Sequence, residues 1–360
     1  MVEKEFISAS IKHTLEAGKF TWQAPSNIAL VKYWGKEDIQ IPKNASISFT
    51  LDHCATTTTF SFTPRDQAQN EIEFDIYFEG KKAENFKPKI STFFDRIVEY
   101  VPFIRNYSYT IDTSNSFPHS SGIASSASGM AALALGIMSI ERKLNPGLTD
   151  DYFNKKASFL ARLGSGSASR SIEGKLIMWG EHPRFIDSSD LYGIKAPIEV
   201  APLFNTYHDC ILLVDKGQKQ VSSSVGHGLM HDHPFAASRF RQAEEHLTRL
   251  AKVLSTGDVE QFIQIVESEA LSLHAMMMSS QPYFILMRPH TLEVIQKIWQ
   301  FRKDTGSSVC FTLDAGANVH VLFPDNEQEQ VYEFIKNELV GYCENGQYIR
   351  DKVGNGAKMR

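Results

Sequence analysis

The sequence predicts an α+β protein built as two domains. Three observations carry this prediction. The 360 residues exceed the size at which a single hydrophobic core usually stops growing. Strand-type and helix-type patterns succeed one another without strict βαβ alternation. The regular pattern is interrupted by HPRFIDSSD and APLFNTY, around residues 185–205, which puts a boundary near residue 195. The expected domains are therefore 1–195 and 196–360.

The elements follow in order. A short apolar strand, Ile28 to Val31, leads into a turn containing Gly35, and the first hundred residues are rich in β-formers. Thr56 to Thr63 and Glu71 to Gly80 alternate as strands, expected to be joined by a turn at Pro64 to Gln69. Ile90, Phe93, Phe94, Ile97 and Val98 recur at helical intervals, and SYTIDTSN, 108–115, returns to strand period. A helix is expected from near Ser126, stopped by Asn145-Pro146-Gly147. Thr149 with Asp150 and Asp151 then opens another helix that runs through Arg162. GSGSASRS, 164–171, reads as a loop and GKLIMWG, 174–180, as a strand. The second half reads as the strand CILLVD, a loop over 216–230, two long helices from about Ala236 to Ala275, and a helix around His290 to Asp304. A hairpin around DAGAN and a helix from Gln328 to Leu339 follow. The tail DKVGNGAKMR lacks the preceding strand and following helix of a phosphate-binding Walker loop, so it reads as a final loop or strand end.

Composition narrows the function classes. Hydrophobic residues at 42% and charged residues at 22% are those of a globular protein, and no apolar run is long enough to span a bilayer. The N-terminus carries charges of both signs and lacks an apolar signal region, so a cytoplasmic location is expected, with no membrane partner. Cys54, Cys210, Cys310 and Cys343 form no CxxC pair and are expected as reduced, buried thiols. A net charge of −5, with no arginine-rich stripe among aromatics, argues against a nucleic-acid partner. His227, His231 and His233 have metal-compatible spacing but no Cys or Glu partner at a typical interval, so no metal site is expected. The Asn44 and Asn106 sequons are irrelevant to a chain that stays in the cytoplasm.

Four segments carry chemistry. In PHSSGIASSASG, 118–129, small residues let the backbone approach a ligand, and the helix that follows presents unpaired N–H groups to an anion. The same run also reads as an ordinary serine-rich loop with a good N-cap. In APSNIALVKYWGKED, 24–38, a strand end delivers Lys32, Tyr33 and Lys36, suited to phosphoryl contacts or simply to solvent. GSGSASRS lacks the third glycine and preceding strand of a dinucleotide fingerprint. It offers Ser165 and Ser167 as hydroxyl donors and Arg170 as a bidentate clamp for carboxylate or phosphate. SVCFTLDAGANVHVLF, 308–323, sets Asp314 at a strand end, either as a turn former or as a carboxylate beside a reacting hydroxyl.

Together these four motifs resemble the diphosphomevalonate decarboxylases of the GHMP kinase superfamily, with KYWGK especially specific. They occur in family order over residues 24–323, and weaker similarity covers VSSSVGHGL and HAMMMSSQPYF. The resemblance implies an N-terminal domain like ribosomal protein S5 domain 2, a ferredoxin-like C-terminal domain, a cleft between them and a homodimer. It also implies conversion of 5-diphosphomevalonate and ATP, with Mg2+, into isopentenyl diphosphate, ADP, phosphate and CO2 on the mevalonate route to isoprenoids. By the same resemblance Asp314 takes the proton of the 3-hydroxyl, Lys32 holds charge beside it, and Arg170 clamps the carboxylate. Tyr33, Lys36, Ser165, Ser167 and Ser223 match positions that hold substrate. Ser120, Ser121, Gly122, Ala124, Ser125 and Ser126 form the expected cradle for ATP phosphates and magnesium. The sequence departs from the commonest family pattern at His119-Ser120-Ser121, where many members have Thr-Ala-Ala, and at Ala317, where Pro is usual. It departs again at Ser224, which is Arg in some bacterial members. The alternatives are a related enzyme acting on mevalonate or 5-phosphomevalonate, and a non-catalytic nucleotide sensor; Arg170 with Asp314 favours decarboxylation.

Overall fold

A computed structural model describes residues 3–9, 13–118, 123–217 and 223–360. The first half is organised on strands β1 (Gly18–Val31), the short pair β2 (Lys36–Glu37) and β3 (Ile41–Pro42), β4 (Ser46–Pro64), β5 (Phe74–Phe78) and β6 (Lys81–Lys82). Helix α1 (Lys87–Ile97), β7 (Tyr107–Asn115), helices α2 (Ser125–Leu144) and α3 (Asp150–Gly164), and strands β8 (Leu176–Trp179) and β9 (Gly193–Lys195) complete it. β1 and β4 are long antiparallel partners from Gly18↔Phe62 to Val31↔Ile47, with register shifts at Pro25/Asn27 and Ala29/Val31. The first shift sits at a proline, which has no N–H for the ladder. The second lies just before Lys32 and re-aims the end of the strand.

The expected turn between residues 56–63 and 71–80 is corrected by the structure. β7 pairs with β4, and β5 lies on the far side of β7, parallel to it with Phe74 opposite Tyr109. The connection has no tight Asn-Gly or Asp-Gly turn. It crosses the start of β7 instead, with the Arg65 N–H donating to Asn106 O and the Gln69 N–H to Arg105 O. Helices α1, α2 and α3 form an apolar core with Phe60, Phe62, Tyr109 and Ile111 of this sheet, including Phe93, Phe94, Leu133, Ile137 and Leu160. The Thr149 side chain caps α3 by accepting from the Tyr152 N–H.

The second half contains β10 (His208–Leu212), α4 (Ser223–Gly228), α5 (Ala236–Thr256), α6 (Val259–Met278), α7 (Pro289–Thr305), β11 (Cys310–Thr312), β12 (Val319–Phe323) and α8 (Gln328–Phe334). Its last strands are β13 (Tyr348–Lys352) and β14 (Lys358–Met359). The helix expected over 328–339 is α-helical only to Phe334 and ends in a π-helical turn, Ile335–Leu339. An antiparallel sheet runs β11-β12-β10-β13. Its residues alternate: Cys210 and Leu212 pack with Val294, Ile298 and Phe334, whereas Ile211 and Leu213 face Leu247 and Phe262. The second of these clusters also takes in Ile28, Leu30, Val31 and Phe49, so apolar packing runs from one sheet to the other. The tail is anchored: the Gly354 N–H donates to Thr50 O, and β14 pairs with β1 at the edge of the first sheet. All four cysteines are buried free thiols.

Candidate active site

The buried end of β1 carries Lys32 into a cleft between the two sheets. The Lys32 backbone N–H donates to Glu269 Oε2 at 2.8 Å, and its Nζ donates to Asp314 Oδ1 at 3.1 Å. The lysine side chain is 2% exposed and the aspartate 27%, so the carboxylate is the partner that faces the cleft. Burial lowers the Lys32 pKa, opposed by Asp314 and Glu269. Asp314 follows β11 at the tip of the DAGAN hairpin, where its backbone oxygen lies 3.1 Å from His274 Nε2. Glu269, on α6, lies beneath Lys32 as a fully buried carboxylate. Arg239 donates to both of its oxygens, and His246 Nδ1 lies 2.6 Å from Oε1. Burial alone would raise the Glu269 pKa, but Arg239 and His246 hold it below its ordinary value.

Arg170 comes from the segment expected as a loop. Residues Gly166–Ser171 form a 3-10 helix directly after α3, because Gly164 ends the α-helix and the tighter winding continues the chain beneath the cleft. Arg170 is 3% exposed. It donates from Nε to Ser48 Oγ at 3.0 Å and to Asn27 Oδ1 at 3.4 Å, and from Nη1 to Ser46 Oγ at 2.5 Å. These acceptors are all neutral. Burial pushes the Arg170 pKa down to about 10 against the pull of Asp314 and Tyr33, leaving a cation at neutral pH whose hydrogen-bond partners among the described residues are all neutral. A buried cation with only neutral partners is best completed by an anionic ligand.

The cleft has a volume of about 300 Å³. Of the residues singled out in the sequence, Lys32, Tyr33, Lys36, Ala124, Ser125, Ser126, Ser165, Ser167, Arg170 and Asp314 all line it. Ser120, Ser121 and Gly122 lie outside the described residues, and so does the side chain of Ser223, whose backbone opens α4. Helix α2 starts at Ser125 after Ala124 in a left-handed conformation, with no side chain among the described residues capping it at its N-cap. Its first N–H donors border the cleft. The Tyr33 hydroxyl is buried without a partner among the described residues. Burial also lowers the Lys36 pKa, aided by Arg96.

Other contributors were not given a role in this cleft from sequence. Trp34, Lys89 and His227, the last read there only for metal-compatible spacing, line the cleft; Lys89 Nζ donates to Ser126 Oγ at 2.8 Å. Asn27 braces the Arg170 helix by donating to Ser171 Oγ and Ser167 O. Trp34 was readable within KYWGK, but nothing around Lys89 or Glu269 marks them locally. A second, mainly apolar cavity of about 190 Å³ adjoins the start of α2, lined by Phe78, Phe86, Ile111, Asn115 and Met130 among others, and it shares Lys89, Ser125 and Ser126 with the cleft. The Asn115 Nδ2 is buried there without a partner among the described residues. The closely spaced histidines take separate partners: His227 accepts from the Gly35 N–H, while His233 Nε2 bonds Met276 O.

Comparison with known proteins accounts for both halves of this arrangement. Residues 24–190 match the diphosphomevalonate decarboxylase-like N-terminal domain, and residues 210–358 match the mevalonate 5-diphosphate decarboxylase C-terminal domain. A diphosphomevalonate decarboxylase of Ganoderma lucidum is 30% identical over 355 residues, covering 93% of this chain and 84% of the relative. The crystal structure of mevalonate diphosphate decarboxylase from Staphylococcus aureus superposes with a TM-score of 0.81 at 27% identity, covering 96% of this chain and 98% of that one. A complex of MDDEF with MVAPP, AMPPCP and magnesium superposes with a TM-score of 0.81 at 28% identity, covering 96% and 99%. With both halves matched by family models and a relative at 30% identity over most of both chains, the chain belongs to the diphosphomevalonate decarboxylase family.

Proposed function

We propose that this cleft carries out the ATP-dependent decarboxylation of mevalonate diphosphate, with Asp314, Lys32 and Arg170 as its catalytic residues. The observation that carries the assignment is the Lys32–Asp314 pair at 3.1 Å in the same cleft as an Arg170 whose hydrogen-bond partners among the described residues are neutral. A tertiary hydroxyl is a poor leaving group, so it is phosphorylated first. Asp314 accepts the 3-hydroxyl proton as that oxygen attacks the γ-phosphorus and ADP departs. Lys32 holds Asp314 in place and offers its ammonium to the transferring phosphoryl oxygens. Arg170 holds the substrate carboxylate while the C–O bond to the new phosphate breaks. The electrons of the C–C bond become the double bond of isopentenyl diphosphate, and CO2 and phosphate leave.

Tyr33, Lys36, Ser165, Ser167 and Ser223 are the proposed substrate contacts. The hydroxyls and N–H groups at Ala124 to Ser126, with Lys89 and the preceding residues Ser120 to Gly122, are proposed to cradle the ATP phosphates. The nucleotide base is assigned to the adjoining apolar cavity, where the unpartnered Asn115 Nδ2 suits a ring-nitrogen acceptor. Mg2+ prefers phosphate oxygens and water. Ser125 and Asp314 are oxygen donors within the cleft and would hold the ion together with the ATP phosphates. When bound it supplies charge neutralisation for phosphoryl transfer.

The division into 1–195 and 196–360 is carried in this reading, supported by separate sheets and qualified by β14, which returns the last residues to the first sheet. A homodimer is carried from the family resemblance, and a cytoplasmic location from the reading of the N-terminal sequence. No helix among the described residues is long and apolar enough to cross a membrane. Light scattering on the purified chain measures the assembly. The deciding assay supplies ATP and Mg2+ with mevalonate, 5-phosphomevalonate or 5-diphosphomevalonate and follows ADP and CO2. CO2 is expected with the diphosphate, and ADP without CO2 from every substrate would sink the assignment.

A further inference from the structure

We propose that His227 is a further binding residue of the cleft, a neutral imidazole whose Nε2–H donates to a phosphoryl oxygen of the substrate's diphosphate beside Lys36. The inference rests on the decarboxylase reading for the identity of the ligand, and on geometry for the donor. The Gly35 N–H donates to His227 Nδ1 at 2.9 Å. A nitrogen that accepts has no proton, so the proton of the neutral ring is on Nε2. The ring is held on both sides, with its centroid 4.2 Å from Tyr33 and 4.5 Å from Trp34. Gly35 has a φ of +95°, and a Cβ on Gly226 would come within 2.6 Å of the Trp34 ring, so helix α4 and the Tyr33–Lys36 turn meet at glycines that leave room for this contact.

His227 is only 8% exposed, and the cleft that it lines also contains Lys36 and Arg170. Among the described residues no acceptor takes its Nε2–H. Burial, with Lys36 and then Arg170 adding to it, pushes the His227 pKa down to about 3, so the ring stays a neutral donor at working pH. A nearly buried donor in a cleft that also holds two cations calls for an oxygen carrying negative charge. Lys36 is the stronger of the two neighbours electrostatically, and Arg170 is already assigned to the carboxylate; the remaining anion of the substrate is its diphosphate. ATP phosphates share this chemistry, so the test must separate the two sources.

Steady-state kinetics of the full chain with His227→Phe, which keeps a ring, and His227→Gln, which restores an N–H donor, make that separation. Loss of one hydrogen bond to a charged group is expected to raise the KM for 5-diphosphomevalonate by about ten- to a hundredfold in the Phe variant. The KM for ATP should change little, kcat should fall less than KM rises, and Gln should recover part of the loss. Calorimetry with inorganic pyrophosphate should show the same weakening. In the wild-type protein, pyrophosphate should shift the His227 Nε2 resonance in 15N-edited spectra, a readout that survives misfolding of either variant. An unchanged KM for the diphosphate, a rise confined to ATP, or an unmoved Nε2 resonance would each overturn the proposal. Pyrophosphate binding that depends on His227 in a wild-type chain that releases no CO2 would instead overturn the decarboxylase reading and leave the anion contact in place.

Discussion

Lys32 and Asp314 work as one unit because each answers the other's difficulty: the lysine is desolvated and needs a counter-charge, and the aspartate needs a fixed orientation to face the cleft. Asp314→Asn keeps the size and polarity of the side chain but removes the base. The variant is expected to fold and to bind both substrates, with turnover lower by about 10²- to 10⁴-fold, measured as CO2 and ADP release beside calorimetric binding. Near wild-type CO2 release would remove Asp314 from proton abstraction. A second prediction at this scale concerns His227, which faces Tyr33 and Trp34 with Lys36 and Arg170 nearby. Its native pKa of about 3 lies below the ordinary 6.5, so between those values the unfolded chain binds a proton that the native state refuses. Its contribution to stability is fully present above about pH 6.5 and is lost as pH falls toward 3, at most about 1.4 kcal/mol per pH unit. Urea unfolding from pH 7 to 4 should therefore fall less steeply in His227→Phe than in wild type; parallel profiles would contradict the buried neutral ring.

At the scale of elements, Lys32 is positioned by a helix that never reaches the cleft with a charge of its own. Helix α6 places Glu269 so that it accepts from the Lys32 N–H, while Arg239 from α5 and His246 satisfy the carboxylate. A buried carboxylate of this kind ties the end of β1 to two helices of the other half. Glu269→Ala leaves Arg239 buried without its partner, which costs about 3–5 kcal/mol. Denaturant titration should register that loss, and Glu269→Gln, which still accepts from Lys32, should lose less. Equal stability of the Ala variant and wild type would show that the Lys32 end of β1 is held by packing alone.

Across the whole molecule, the cleft exists because apolar packing joins the two sheets. Phe262 lies in a cluster with Ile28, Val31 and Phe49 of the first sheet and Ile211, Cys310 and Leu322 of the second. Phe262→Ala should cost about 3–5 kcal/mol and lower the midpoint of the main calorimetric transition. Because the same cluster includes the strand that delivers Lys32, turnover should fall well below the midpoint temperature, where the wild type is still active. A variant with an unaltered midpoint would place the cohesion of the halves elsewhere, such as in the return of β14 to β1.

Much of this architecture was legible in the chain. The periodicity of Ile90 to Val98 and the Thr149 cap each depend on neighbours within a few residues, and the structure bears them out. KYWGK, GSGSASRS and DAGAN announced Lys32, Arg170 and Asp314 for the same reason, as short runs whose residue types suit phosphate and carboxylate chemistry. The placement of β7 between β4 and β5 was not legible, because strand order depends on which partner fills the neighbouring slot and not on the strand's own alternation. Glu269 was invisible and His227 was read only for its metal-compatible spacing, for a related reason: a buried carboxylate and a stacked imidazole get their roles from residues more than 190 positions away. The sequence by itself determined the local periods, the caps and the reactive residue types. Only the tertiary structure decided that Lys32 meets Asp314 across 282 residues, that Arg170 bonds neutral partners among the described residues and that His227 accepts from the Gly35 N–H, since these follow from burial and proximity that packing alone creates.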